Sequence, residues 1–133
     1  MIIIVCLDDG NGMLFNKRRQ SSDEVLTNRV AKLSAKSRLW VNEYSAKLFE
    51  KHEVSVSEDF LKEAAEGEYC FVENADITEF TEKIEGLIIY RWNRKYPSDF
   101  KFPISILEKM KLVSTQNFVG KSHPEITEEI YSL

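Results

Sequence analysis

Short apolar runs alternate with amphipathic segments along most of the chain. The run at residues 1–7 is apolar at every position, which is typical of a central strand that is covered on both faces. Further apolar runs predict strands at 38–42, 54–56, 69–72, 87–92 and 111–114. Strands that alternate with helical segments favour an α/β fold.

Apolar residues at helical spacing predict helices between these strands. The first runs from about 22 to 34, where Ser and Asp offer cap residues before the apolar stripe. Three further segments predict helices, at 44–53, at 57–67 and at 77–86, and the last two are closed by glycine. The pattern at 125–131 is compatible with a terminal strand or with a short helix.

Composition adds limits on the class of protein. The chain has 133 residues, 43% of them hydrophobic and 30% charged, which predicts one globular domain over 1–133. The formal net charge of −4 gives no overall positive field for nucleic acid. Cys6 and Cys70 lie in apolar runs, so we expect both to be reduced and buried. The start lacks the pattern of a signal peptide and no run is long enough to span a bilayer, so we expect a cytoplasmic location without membrane insertion.

Common catalytic and metal-binding motifs are absent from the sequence. The five glycines form neither nucleotide-binding fingerprint, and there is no GxSxG. His52 and His123 stand apart, with no HxH, HExxH or CxxC pattern, so we expect no metal site.

Three carboxylates and two basic clusters are the candidate polar groups. Asp8 and Asp9 follow the first strand and Asp23 begins the first helix, and ligands of α/β sheets bind at the carboxyl ends of strands. The structural alternative is a turn at Asp8 and Asp9 and a helix cap at Asp23. The basic clusters are solvated faces or phosphate contacts, and their members are Lys17, Arg18, Arg19, Arg91, Trp92, Arg94 and Lys95.

The C-terminal third resembles dihydrofolate reductase. That family has a strand, a D-x-x-F-P turn and a W-[KE]-x-V-S strand, and the matching residues here are 87–90, 99–103 and 110–114. The start, IIIVCLDDGNGML, is similar to the family's first strand and mobile active-site loop, and residues 123–133 resemble its last strand. The resemblance covers nearly the whole chain. It implies a three-layer α/β fold with a mostly parallel central sheet flanked by helices.

The resemblance also implies a pteridine-side pocket. Asp23 falls where the family keeps its single buried carboxylate, which holds the amino-pyrimidine ring and supports its protonation, so Asp23 is the candidate catalytic residue. The implied pocket residues are Ile4, Val5, Cys6, Asp23, Phe71 and Tyr90.

The cofactor positions depart from the family's pattern. The strand-to-helix turn that is Gly-Gly in the family reads Val72-Glu73-Asn74 here, and a carboxylate near that turn would repel a diphosphate. Where the family has its Gly-Arg-[KH]-[ST] signature, residues 42–45 of this chain are Asn42-Glu43-Tyr44-Ser45. An acid therefore replaces the phosphate-binding cation. The loop between Gly12 and Asp23 is shorter than in the family and lacks its Pro-Trp pair. We therefore expect no cofactor, with NADPH only if the protein is an enzyme.

Three hypotheses follow. The first is a protein of this fold without NADPH-dependent reductase activity that binds a small planar ligand, pterin-like or nucleobase-like. The second is a divergent reductase that uses Asp23. The third is an RNA- or protein-interaction module, and its binding would weaken with salt. The residues of the basic clusters that it uses are Lys17, Arg18, Arg19, Arg91, Trp92 and Arg94.

Overall fold

The computed structural model describes residues 1–133 and contains ten strands and three α-helices. The strands are β1 (Ile2–Leu7), β2 (Gly12–Phe15), β3 (Arg18–Arg19), β4 (Leu39–Val41), β5 (Ser55–Val56), β6 (Tyr69–Phe71), β7 (Gly86–Arg91), β8 (Phe100–Lys101), β9 (Lys111–Phe118) and β10 (Ile126–Ser132). The α-helices are α1 (Glu24–Leu33), α2 (Glu43–Ala46) and α3 (Phe60–Glu63). Three 3-10 helices cover Lys47–Phe49, Thr78–Lys83 and Ile104–Lys109.

A seven-stranded sheet in the order β5-β4-β6-β1-β7-β10-β9 forms the centre of the molecule. The first five strands of that order are parallel, and β10 runs antiparallel to both β7 and β9. The apolar strand β1 lies in the middle, where Ile4 pairs with Phe71 on one side and with Ile88 on the other. A second sheet, in the order β3-β2-β8, holds the hairpin that follows β1.

The central sheet is covered on both faces, because alternate side chains of β1 enter two separate cores. Ile3, Val5 and Leu7 pack with residues of α3 and of the Thr78–Lys83 segment. Ile4 packs on the other face, in the core that contains Leu26 and Val30 of α1. The predicted three-layer α/β fold with a mostly parallel sheet is therefore confirmed.

Several predicted helices are shorter than their patterns indicate. The segment at 44–53 forms only α2 and the 3-10 turn after it, and the segment at 77–86 forms a 3-10 helix with its buried residues at the two ends, Ile77 and Ile84. The segment at 57–67 contains only α3, because Ala64 is extended and Ala65 and Glu68 close a separate turn. Of the two alternatives for residues 125–131 the structure has the strand, and this strand is β10 (Ile126–Ser132).

The longest helix, α1, has ten residues, and no helix has the length and apolar character needed to cross a membrane.

Candidate functional site

Several residues singled out in the sequence lie at the carboxyl ends of the parallel strands. Asn42 follows β4, Glu73 lies just beyond β6, and Trp92 follows β7. Asp23 is connected to the same edge by a contact with His123. The His123 ring stacks on Trp92, and the two ring centroids are 4.6 Å apart. This edge is where ligands lie in open α/β sheets.

Asp23 is the N-cap of α1 and its side chain is buried. Its Oδ1 accepts hydrogen bonds from the backbone N–H groups of Val25 at 3.0 Å and Lys121 at 2.9 Å. Its Oδ2 accepts from the N–H of Ser122 at 2.9 Å and lies 2.8 Å from His123 Nδ1. Both oxygens are therefore occupied by groups of the protein itself.

The turn at residues 120–123 can approach Asp23 this closely because position 120 is glycine. A Cβ at Gly120 would lie 2.5 Å from Asp23 Oδ2 and 2.9 Å from Ile126 Cδ1. The Gly120 N–H donates to the carbonyl of His123 at 2.9 Å and closes the turn. The turn thus presents two backbone N–H groups and one imidazole to the carboxylate.

These bonds fix the charge state of Asp23. Burial by itself raises the pKa of the Asp23 carboxyl, but the hydrogen bonds from Lys121, Ser122, His123 and Val25 together hold that pKa well below its usual range. The group is an ionised carboxylate at neutral pH.

Glu73 forms a second buried carboxylate site, at the end of β6. Arg19 Nε donates to Glu73 Oε2 at 2.9 Å, and the other guanidinium nitrogen Nη2 donates to Oε1 at 3.0 Å. Ser45 Oγ also donates to Oε1, at 2.7 Å. The ion pair with Glu73 raises the pKa of Arg19 further above its usual value.

The hairpin of β2 and β3 carries Arg19 to this position. Asn16 and Lys17 both have positive φ, 51° and 61°, which makes the tight turn between the two strands. The Arg19 guanidinium lies over the ring of Tyr44 with its Cζ 4.7 Å from the ring centroid, and the Tyr44 hydroxyl accepts from the Arg19 N–H at 2.7 Å. This hairpin stands where the resemblance implies a mobile loop, and β8 pairs with its first strand, β2.

The remaining cofactor positions are also bonded internally. Asn42 caps α2 through its Oδ1 and donates from Nδ2 to Asn74 Oδ1 at 2.7 Å. The N–H of Glu43 donates to Glu58 Oε2 at 2.8 Å, and the Glu43 side chain is exposed.

The structure does not bring the implied pocket residues together as one lining. Ile4, Phe71 and Tyr90 are buried in the core under α1, whereas Val5 points into the opposite core. Cys6 is half-buried, whereas the sequence predicts a buried residue. The pKa of its thiol is raised, mainly by its removal from water and to a smaller extent by the charge of Glu73. Cys70 is buried as expected, and both cysteines are free. These positions are core residues first, because alternate positions of β1 face opposite sides of the sheet.

Tyr90 takes part in a polar network that the sequence did not reveal. Its hydroxyl donates to Glu128 Oε2 at 2.8 Å, and Arg29 Nε donates to the same oxygen at 2.7 Å. Burial and the bond to Glu128 raise the pKa of Tyr90. The network joins α1 to β10 across the sheet face.

Asp8 is structural. It is buried, its Oδ1 accepts from the N–H groups of Gly10 and Gly12, and its Oδ2 accepts from the N–H of Tyr96 at 3.0 Å. Asp9 is exposed. The turn alternative is therefore the one that the structure favours for this pair.

Half of the six residues in the interaction hypothesis are engaged inside the protein. Arg19 pairs with Glu73, Arg91 pairs with Glu129 at 2.9 Å, and Trp92 is buried against His123. Lys17, Arg18 and Arg94 remain exposed. The two basic clusters thus present less free positive charge than the sequence suggests.

Two cavities are relevant to binding. A cleft of about 240 Å³ opens between α1 and residues 47–52, and Leu48 is the one hydrophobic residue in its lining. A larger and more apolar groove of about 820 Å³ lies between α1 and β10, but it contains Ile2, Tyr69 and Gly86, the first residues of three parallel strands. The groove is therefore at the amino ends of these strands, away from the carboxylates described above. No cluster of three or more His, Cys, Asp or Glu side chains is arranged to hold a metal ion.

Sequence reasoning missed Arg19 and His123 as members of these sites. In the sequence Arg19 stands beside two exposed basic residues, and its partner Glu73 lies 54 residues further along the chain. His123 lies 100 residues from Asp23. The one local signal was Gly120, which marks a close backbone approach without naming its partner.

Comparison with known proteins shows which fold the chain has. A solved structure of dihydrofolate reductase from Enterococcus faecalis, complexed with NADP(H) and RAB-propyl, superposes with a TM-score of 0.65. The match covers 98% of this chain and 94% of that chain at 13% sequence identity. The chain has a dihydrofolate-reductase-like fold. No protein-family model matches it, and no curated protein matches it. The likeness establishes the fold, so activity has to be argued from the residues of the site.

Proposed function

We propose that this protein has the dihydrofolate-reductase-like fold without NADPH-dependent reductase activity, and that it binds a small, planar, polar ligand instead. The observation that carries the first part is the buried Glu73 carboxylate with its bonds to Arg19 and Ser45. The polar cleft beside α1 carries the second part.

The residues at the cofactor positions do not fit a dinucleotide diphosphate. A diphosphate beside Glu73 would meet a like charge in a buried position, where that repulsion is screened less than in water. Arg19 could turn towards a phosphate only by leaving Glu73, and an unpaired buried carboxylate is costly. Ser45, the one residue kept from the family's second signature, already donates to Glu73.

The divergent-reductase hypothesis requires Asp23 to accept bonds from a substrate ring. Four donors from the protein already occupy its two oxygens at 2.8–3.0 Å. A pterin ring could pair with Asp23 only if the turn at 120–123 opened, which would leave buried N–H groups unsatisfied. The bonds of Asp23 therefore favour the non-reductase hypothesis.

The cleft beside α1 limits the size and chemistry of the proposed ligand. Its volume of about 240 Å³ is below the range of sites that hold drug-sized molecules, so it suits a single heterocycle rather than a whole folate. Asn28 and His52 bridge the cleft with a 2.9 Å contact between Oδ1 and Nε2. Lys47 and Lys51 supply cationic donors for ring oxygens or nitrogens.

Amide chemical shifts in ¹⁵N-labelled protein test both parts at once. We expect NADPH to leave the amides of Ser45 and Glu73 unshifted up to about 1 mM, because Glu73 repels the diphosphate. A complex weaker than this has a binding free energy smaller than about 4 kcal/mol. We expect one member of a panel of pterin, guanine and adenine to shift the amides of Thr27, Leu48 and His52. Substitution Lys51→Ala should weaken that response, and Lys36→Ala, at an exposed lysine outside the cleft, serves as the control.

Saturable NADPH shifts at Ser45 and Glu73 would contradict the first part of the proposal. Silence of the cleft amides across the whole panel would contradict the second part.

A further inference from the structure

A serine, a histidine and a carboxylate lie in line at the start of α1. Ser21 Oγ is 2.9 Å from His123 Nε2, and His123 Nδ1 is 2.8 Å from Asp23 Oδ2. We propose that Ser21 is a nucleophile activated by His123, with Asp23 as the positioning residue, and that the site hydrolyses small carboxylic esters. This activity is separate from the loss of NADPH use proposed above and does not depend on it.

The hydrogen bonds determine which ring nitrogen carries the proton. An ionised carboxylate only accepts hydrogen bonds, so the 2.8 Å contact places the proton on His123 Nδ1. In the neutral ring Nε2 is then an acceptor, and the Ser21 hydroxyl must be the donor to it. This is the arrangement that general-base activation of a serine requires.

The imidazole is held in place from three directions. Trp92 stacks on one face of the ring with an interplanar angle of 30°. Asp23 holds Nδ1, and Ser122 Oγ lies 3.2 Å from the same nitrogen. The His123 side chain is 3% exposed, so its rotamer is fixed by packing. A pre-positioned base of this kind is what distinguishes a reactive serine from an ordinary one.

Ser21 itself is reachable, because it is half-buried while Asp23 and His123 are buried. The N–H of the next residue, Ser22, donates to no group of the protein, and the proposal assigns to it the developing oxyanion. The next two residues along the chain, Ser22 and Asp23, line the polar cleft of about 240 Å³.

The proposed reaction balances with water as the only co-reactant. Ser21 Oγ bonds to the carbonyl carbon while its proton passes to His123 Nε2. The bond from carbon to the alcohol oxygen breaks, and the alcohol leaves with that proton. Water then adds to the acyl carbon and gives a proton to Nε2, the bond from Oγ to carbon breaks, and Ser21 recovers the proton as the acid leaves.

A fluorophosphonate probe tests the nucleophile directly on the intact folded protein. Attack forms a bond from Ser21 Oγ to phosphorus and breaks the phosphorus–fluorine bond, so the protein gains the mass of the phosphonyl group. We expect peptide mapping to place this label on Ser21, and heat-unfolded protein to remain unlabelled. Hydrolysis of p-nitrophenyl acetate by the same protein should show a rapid first turnover and then a slower steady rate.

Variants separate a reactive site from a structural hydrogen bond. Ser21→Ala should remove the label, and His123→Gln should slow labelling by about 100-fold, which is a usual effect of losing a general base. Ser114→Ala, at an exposed serine of β9 with no side-chain hydrogen bond, should react as the wild type does. The imidazole ¹⁵N shifts should show a proton on Nδ1 of His123, and Asp23→Asn should change that signature.

Absence of label on Ser21 in the folded wild type would overturn the proposal, and this result needs no variant to fold. Labelling of Ser21 at an unchanged rate in folded His123→Gln would also overturn it.

Discussion

Asp23 and Glu73 are two buried carboxylates at the same edge of one sheet, and their partners differ in charge. Glu73 is bound by a guanidinium and a serine hydroxyl. Asp23 is bound by three backbone N–H groups, an imidazole and the Ser122 hydroxyl. Lys121 gives Asp23 only its backbone N–H, because its ammonium binds Glu24 instead. One charge is cancelled by a full cation, and the other is stabilised by dipoles.

The difference separates a closed site from an open one. The Glu73 pair is complete, so an incoming anion finds no unpaired cation there. The Asp23 charge is balanced only if His123 becomes protonated, so the same carboxylate stabilises an imidazolium that forms during a reaction. This difference is the basis of our two proposals, which assign chemistry to the α1 side of this edge and an occupied cofactor position to the Glu73 side.

Removal of the Asp23 carboxylate should give the largest effect. Asp23→Ala loses the cap of α1 and leaves the N–H groups of Lys121 and Ser122 unsatisfied, so we expect about 3–5 kcal/mol less unfolding free energy. Asp59→Ala is a matched control, because Asp59 is the N-cap of α3 but makes no cap hydrogen bond. Chemical denaturation measures both, and equal losses in the two variants would contradict the role given to Asp23.

Disruption of the Glu73 pair should come second. Glu73→Ala leaves Arg19 and Ser45 without their shared acceptor, and Arg19 is still 28% exposed, so we expect a loss of about 2–3 kcal/mol. The double variant Arg19→Met with Glu73→Leu should recover much of that loss, since no charge is then left unpaired. Lys121→Ala, which breaks an exposed pair, is the control and should have little effect. A double variant no more stable than Glu73→Ala would show that the pair is not a coupled unit.

Acid should weaken the Asp23 site by a smaller amount. Because the folded-state pKa of Asp23 is depressed, its contribution is fully present above the unfolded-state value of about 4 and is lost as the pH falls below that value. The difference in unfolding free energy between the wild type and Asp23→Asn should therefore shrink between about pH 5 and pH 2. The pKa of the Glu128 carboxyl is also lowered, because the bonds from Arg29 and Tyr90 outweigh the effect of its burial. Both proteins contain Glu128, so its contribution cancels in the difference between their unfolding free energies. A difference that stays constant with pH would argue against an ionised, hydrogen-bonded Asp23.

A substitution in the hairpin should give the smallest effect, and in the opposite direction. Lys17 has φ of 61°, which glycine adopts without strain, so Lys17→Gly should add about 0.5 kcal/mol of stability and keep Arg19 on Glu73. Arg18→Gly, at the neighbouring strand position, should destabilise instead. Thermal denaturation of the two variants shows the sign, and destabilisation by Lys17→Gly would contradict the turn geometry.

The sequence predicts the parts of this molecule that local patterns control. The central strand β1 and helix α1 were predictable because an unbroken apolar run and a capped helical stripe each have few alternatives. The helices predicted at 57–67 and 77–86 are longer than those in the structure. Apolar residues at helical spacing also fit a single turn, or a 3-10 helix that is held by a few buried side chains.

In each candidate site the sequence predicts the carboxylate but not the residue that binds it. Asp23 and Glu73 stood out as carboxylates in notable positions, but their partners His123 and Arg19 are brought in by tertiary contacts across 100 and 54 residues. Ser21 carried no signal, because a serine before a helix usually serves as a cap or a turn residue. Contacts of this kind depend on the register of β10 and on the β2–β3 hairpin, which no local pattern specifies.

The central claim is that the protein's own ion pair fills the cofactor side, and calorimetric titration of the purified protein with NADPH at low salt tests it most directly. Low salt favours any attraction between phosphate and protein, so it gives binding its best opportunity. We predict no saturable heat up to about 1 mM NADPH. Saturable binding at about 1 μM would contradict the claim, since Arg19 would then have to leave Glu73 for the diphosphate.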